Sequence, residues 1–175
     1  MIRTLLAAAA VAAIAVPAAA QTASEPRGYG TFGYTHLEGD TPSVGAVTGR
    51  LGVDVLPWLA VETEASIGVK DNKFDIAGAE GTNEHQWDAA GYVVGKIPVG
   101  DRFSVFARGG YGHTELTRTV AGSETDIGGD SWNYGAGAEM ALGGNTGVRA
   151  DWTRRDFREG DVKADAYSLS LVRRF

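Results

Sequence analysis

The chain contains no cysteine. A disulfide framework is therefore excluded, and stability has to come from packing and closed hydrogen bonding. It also lacks any apolar run long enough for a spanning helix, which needs about 20 residues. The most apolar stretch, Leu5 to Val16, is too short. Positive charge is scarce: 16 Lys and Arg stand against 22 Asp and Glu, a formal net charge of −6. Phosphate neutralisation needs a basic face, so nucleic acid is not an expected partner. His36, His85 and His113 are scattered without metal-ligand spacing, and the acidic residues show no calcium-loop spacing. No cofactor and no metal are expected.

What is present begins with a secretory leader at residues 1–20. Arg3 supplies the positive charge, Leu5 to Val16 the short apolar core, Pro17 the break, and Ala18-Ala19-Ala20 the small residues a signal peptidase needs, with cleavage before Gln21. Only one basic residue is lost with it, leaving 15 basic and 22 acidic groups, a net charge of −7. Residues 21–175 form one domain by length. Glycine is abundant at 25 of 175 residues, about twice the usual ~7%. Many glycines fall inside strand-like runs, where they weaken an ordinary sheet but suit a narrow, strongly bent barrel.

Eight runs alternate with a period of two. They lie near Gly28 to Leu37, Val44 to Val55, Leu59 to Val69, Gln86 to Ile97, from Phe103 past Tyr111, Trp132 to Leu142, from Val148 past Trp152, and up to Phe175. The last sets Tyr167, Leu169, Leu171, Arg173 and Phe175 on one face against Ala166, Ser168, Ser170, Val172 and Arg174. The first is ambiguous in phase, because Tyr29, Phe32 and Tyr34 fall on both parities. Short connections at 56–58, 98–101 and 143–145 alternate strictly with longer polar ones at roughly 38–43, 70–85, 114–130 and 156–163. Short turns at one end and long loops at the other, with strands of about 9–12 residues, match an outer-membrane barrel with periplasmic turns. A soluble lipocalin-like barrel alternates too, but its polar face would be rich in Lys and Glu. Here that face is mainly Gly, Ala, Ser and Thr with a few charges of both signs, which suits a filled lumen. Trp87, Phe103, Tyr111, Trp132, Tyr134 and Phe175 fall near run ends on the apolar face, as interfacial belts require. The expected fold is all-β: an eight-stranded antiparallel transmembrane up-and-down β-barrel.

Gly109-Gly110-Tyr111-Gly112, Tyr134-Gly135-Ala136-Gly137, Val148-Arg149-Ala150-Asp151-Trp152 and terminal Phe175 carry a resemblance. Over residues 28–175 the chain resembles the small eight-stranded outer-membrane barrels of Gram-negative bacteria, related to the OmpA transmembrane domain and the opacity-type porin-family proteins. The resemblance implies a place in the outer membrane, with the lipid bilayer and lipopolysaccharide as surroundings. It also implies delivery by periplasmic chaperones and recognition of the last strand by the barrel-assembly machinery, with Phe175 as the assembly signal. Arg173 departs from that pattern, standing where such strands usually hold an aromatic or apolar residue. A closed barrel has no free edge to pair, so a monomer is expected.

Centring the turns gives a register. Pro57 as centre sets Arg50 opposite Glu64, Gly144 sets Glu139 opposite Arg149, and Gly100 sets Arg108 opposite Tyr92, with Glu62 and Asp151 one step away. Buried charges persist only when paired. Arg50, Glu62, Glu64, Arg108, Glu139, Arg149 and Asp151 are therefore read as a structural charge network in the lumen rather than a gated ion path. Gly28-Tyr29-Gly30-Thr31-Phe32-Gly33 matches G-x-G-x-x-G, but that motif binds nucleotides only between a strand and a helix. Lipid A deacylases of the outer membrane use His-x-Ser; His113-Thr114-Glu115 lacks the serine, so no catalytic residue is assigned. The loops lean acidic, with Asp71, Asp75, Glu80 and Glu84 in one and Glu115, Glu124, Asp126 and Asp130 in another. That acidity is read as solvation of exposed turns. The resemblance implies a structural or surface-interaction role, adhesion or recognition, ahead of a low-conductance pore or a lipid-modifying enzyme.

Overall fold

The computed structural model describes residues 27–39, 43–70, 72–76, 79–120, 123–126, 129–158 and 162–175. The leader expected at 1–20 and its cleavage point lie outside the described residues. Ten strands account for almost all of the described chain: β1 (Arg27–Gly39), β2 (Val44–Leu56), β3 (Leu59–Lys70), β4 (Asn72–Ile76), β5 (Ala79–Pro98), β6 (Phe103–Val120), β7 (Ser123–Asp126), β8 (Gly129–Gly143), β9 (Thr146–Phe157) and β10 (Lys163–Arg174). Eight of them, all but the short β4 and β7, pair antiparallel in chain order, and β10 returns to pair with β1. The barrel is closed.

Its shear follows from the pairing. From Met140 the opposed residues run Val148, Leu171, Phe32, Gly49, Ala65, Ala89 and His113, then return to β8 at Asp130, ten residues from the start. Eight strands with that stagger at ordinary strand spacings tilt by about 42°. The outward residues of β8 from Trp132 to Leu142 then span a height of about 25 Å, the thickness of a membrane barrel's apolar band.

Alternation sorts the side chains by environment. Phe32, Leu51, Ile67, Val93, Ile97, Met140, Leu169 and Leu171 are exposed on the outer wall, while Thr31, Arg50, Glu64, Tyr92, Arg108, Arg149 and Ser170 are buried in the lumen. The first strand's phase is resolved: Tyr29 points inward and is fully buried, whereas Phe32 and Tyr34 face out. Tight turns close the short end, where Gly144 adopts a left-handed φ of 55° that glycine accepts without steric cost.

Two segments expected as loops are partly strand. The β5–β6 ladder continues past Trp87↔Glu115 as far as Gly81↔Val120, flanked by β4 on β5 and β7 on β6. A register irregularity between His85 and Trp87 marks where this ladder leaves the barrel. Apolar alternation is brief in these segments, so its sequence signal is weak there. Extended-backbone formers such as Thr117, Thr119 and Val120 still sustain pairing.

Candidate functional site: the paired charges of the lumen

Opposite walls supply the charges. β3 brings Glu62 and Glu64 inward; β9, four strands away in either direction, brings Arg149, Asp151 and Arg155. Successive inward positions are two residues apart, so each strand stacks its charges along the barrel axis.

Glu64 is the hub. Its carboxylate accepts from Arg50 Nε at 2.6 Å, Arg108 Nη1 at 3.1 Å, Arg155 Nη2 at 3.3 Å and the Tyr92 hydroxyl at 3.2 Å. Asp151 takes Arg50 Nη1 at 3.0 Å and Arg108 Nη2 at 2.8 Å, with Arg149 Nε 3.6 Å away. Glu62 holds the Arg149 guanidinium through both oxygens and accepts the Tyr29 hydroxyl at 2.6 Å. Asp88 completes the set with Arg155 at 3.0 Å. The middle of the lumen thus holds Arg50, Arg108, Arg149 and Arg155 against Glu62, Glu64, Asp88 and Asp151, all buried, and carries no net formal charge. Aromatic faces finish the desolvation: the Arg149 guanidinium lies 3.9 Å from the Phe106 ring centre and that of Arg108 4.4 Å from Tyr92.

Other strata lie on either side. Towards the long-loop end, Ser168, Thr35, Thr48 and Ser66 join hydroxyl to hydroxyl at 2.8, 2.7 and 2.9 Å across four strands. Towards the short-turn end an apolar layer of Ala60, Val94, Phe106 and Val172 precedes a second ring of charge. There Arg174 bridges Glu139 and Asp54, the latter at 3.1 Å, and Lys96 donates to Asp54 at 2.6 Å while lying 4.0 Å from the Tyr29 ring centre.

Of the residues singled out in the sequence, Arg50, Glu62, Glu64, Arg108, Arg149 and Asp151 meet in the middle layer. Glu139 lies opposite Arg149 on the backbone, but its side chain turns away to Arg174 at the mouth. Arg108 sits opposite Val94, not Tyr92: the turn runs on through Arg102, shifting the register by two, and Arg108 meets Tyr92 diagonally. Asp88, Arg155, Tyr29, Lys96, Asp54 and Arg174 join the charge layers without having been singled out. The inward parity of all but Tyr29 is readable from the alternation; their partners, on strands distant in sequence, are not.

On the outer wall His113 Nδ1 and Asp130 Oδ1 are 2.9 Å apart, above the belt residue Trp132, and this hydrogen bond holds the Asp130 carboxyl below its ordinary range. Ser131 points into the lumen and is fully buried, on the other face from that pair. Phe175 is exposed at the outer wall. Arg173 donates to Thr146 Oγ1 at 2.9 Å at the short-turn end.

The sequence pattern of one family, described as outer membrane protein beta-barrel domain, matches residues 6–175. The chain belongs to that family. Its place is the bacterial outer membrane, and the outward apolar band is the surface that meets lipid. Solved barrels of the same shape include Ail, the attachment invasion locus protein of Yersinia pestis, at 16% identity and TM-score 0.62 over 87% of this chain and 100% of that one. OprG of Pseudomonas aeruginosa gives 11% identity and TM-score 0.67 over 87% and 97%. Neisserial surface protein A gives 9% and 0.60 over 87% and 98%. Identities this low establish a shared fold. No curated protein sequence matches the chain. Family membership fixes an integral outer-membrane barrel protein.

Proposed function

We propose that this barrel serves the envelope as a structural and surface-presenting element, not as a conduit or a catalyst. The observation that carries the reading is the lumen filling: side chains from β3 and β9 meet across the axis, and every carboxylate of the middle layer is held by guanidinium. A cross-section packed with mutually paired groups suits a solid staple in the bilayer. What remains to act is the outer end. Beyond the belt, β4, β5, β6 and β7 form a four-stranded antiparallel sheet, and among the described residues its outer members β4 and β7 pair on one side only. Such a sheet offers backbone edges and turns for recognition at the cell surface.

Ail has been solved with the heparin analogue sucrose octasulfate. Here Asp71, Asp75, Glu80, Glu84, Glu115, Glu124 and Asp126 outnumber Lys70, Lys73 and Arg118 in the corresponding stretches, which disfavours a polyanion and favours a neutral or basic surface partner. The same reading includes removal of residues 1–20 on export, delivery by periplasmic chaperones, recognition of Phe175 by the barrel-assembly machinery, contact with lipopolysaccharide, and a monomeric state. His113 is a rim residue in it, with no serine beside it on the outer face.

Two measurements test this. In planar bilayers the purified barrel is expected to give no steady conductance; discrete openings would replace the reading with a low-conductance pore. In whole cells, shortening the segment 72–84 together with 116–126 is expected to abolish surface binding while heat-modifiable electrophoretic mobility persists. Unchanged binding, or a changed lipid A mass that depends on His113, would overturn it.

A further inference from the structure

The G-x-G-x-x-G run lies within β1, and the next element among the described residues is the strand β2, not the helix that a nucleotide-binding run opens. Two of its glycines, Gly28 and Gly33, lie against the last stretch of the chain. A β-carbon on Gly28 would stand 2.5 Å from Cε2 and 3.0 Å from Cδ2 of the Phe175 ring, and one on Gly30 would stand 4.0 Å from Cε1 of the same ring. A β-carbon on Gly33 would fall onto the carbonyl oxygen of Leu169 and the backbone of Ser170. Phe175 N–H donates to the Gly28 carbonyl at 3.0 Å, and Gly30 and Gly33 oppose Arg173 and Ser170 in the ladder. Gly28 and Gly33 therefore abut the β10 side, the seam at which the first and last strands meet, whereas a β-carbon on Gly30 would lie nearer Leu51 Cδ2 at 3.6 Å and the Arg50 carbonyl oxygen at 3.7 Å, on β2.

We infer that Gly28 and Gly33 form a seat for the terminal aromatic strand, a binding site within the chain that completes barrel closure. Gly28 leaves bare backbone against which the Phe175 ring lies. Gly33 lets the two backbones approach where any side chain would intervene. The two parts fail differently. A methyl at Gly28 displaces only the far end of a side chain that is 74% exposed, so the ring leaves its seat while the ladder survives. A methyl at Gly33 meets backbone, which cannot swing aside, so the strands separate. Outward-facing Gly91 is the internal control, because a β-carbon there meets nothing within 4 Å.

The test is refolding of the denatured 21–175 chain into short-chain phosphatidylcholine vesicles, without assembly factors, reading the closed fraction from mobility before and after boiling. Gly28→Ala and Phe175→Ala are each expected to slow closure several-fold, and the double variant to close no more slowly than the worse single one, since both remove the same contact. Gly33→Ala is expected to accumulate a species that does not shift on boiling, while Gly91→Ala closes like the parent. The inference fails if the Gly28 and Phe175 effects multiply, or if Gly33→Ala closes at the rate of Gly91→Ala. The Gly28–Phe175 cycle is read on variants that keep the ladder, so a Gly33 variant that folds nowhere does not decide the matter alone.

Discussion

Acid–base pairs occupy the lumen at two depths, and their surroundings separate them. In the middle layer Glu64, Asp151, Arg50 and Arg108 have side chains exposed by 1% or less, and each carboxylate serves several guanidiniums. At the short-turn mouth Glu139, Arg174, Asp54 and Lys96 make the same kinds of contact, yet the side chain of Arg174 is 37% exposed and that of Asp54 21%. The chemistry is shared and the solvent is not. A charge that loses its partner in the middle has no water to turn to, whereas one at the mouth does.

Substitutions sharpen this contrast, and urea titration in lipid vesicles reads it. Glu64→Ala strips one carboxylate from Arg50, Arg108 and Arg155 together and is expected to cost about 3–5 kcal/mol, the loss found when a buried pair is broken. Replacing Glu64 and Arg50 together by apolar residues should return a good part of it; no recovery would show that the hub matters beyond its charge balance. Asp88→Asn leaves Arg155 with Glu64 and with an amide oxygen still able to accept, so about 1–3 kcal/mol is expected. Asp54→Ala at the mouth should cost about 1 kcal/mol or less. Lys163→Ala removes an ion pair with Asp156 at 3.8 Å between side chains that are 51% and 38% exposed, and should change nothing measurable. A loss for Asp54→Ala equal to that for Glu64→Ala would erase the distinction between the two layers.

The fold was legible because a membrane barrel writes its facing on every second residue: Leu169 and Leu171 out, Ser168 and Ser170 in. Where that contrast fades, the signal fades too. Segments 70–85 and 114–130 carry only brief apolar alternation, as at Phe74 and Ile76 or Leu116 and Val120, too little to mark the strand extensions against their polar surroundings. Hairpin neighbours were accessible by counting from a turn, as with Arg50 and Glu64. Cross-axis partners were not, because Arg149 and Glu62 are 87 residues apart and meet only through closure. Tyr29 was ambiguous because aromatic rings serve both environments. Its hydroxyl had a carboxylate to reach in the lumen, and no local pattern reports that.

The shared carboxylates have a temporal consequence. Arg50 on β2 reaches Asp151 on β9, 101 residues further along, so this contact is missing while the ribbon is still open and Arg50 has only its hairpin neighbour Glu64. A half-inserted sheet would drag incompletely paired ions against acyl chains. Curling and insertion must therefore proceed together, with water retained in the groove until the last rung zips, and this protein should cross its membrane as a single concerted event or not at all.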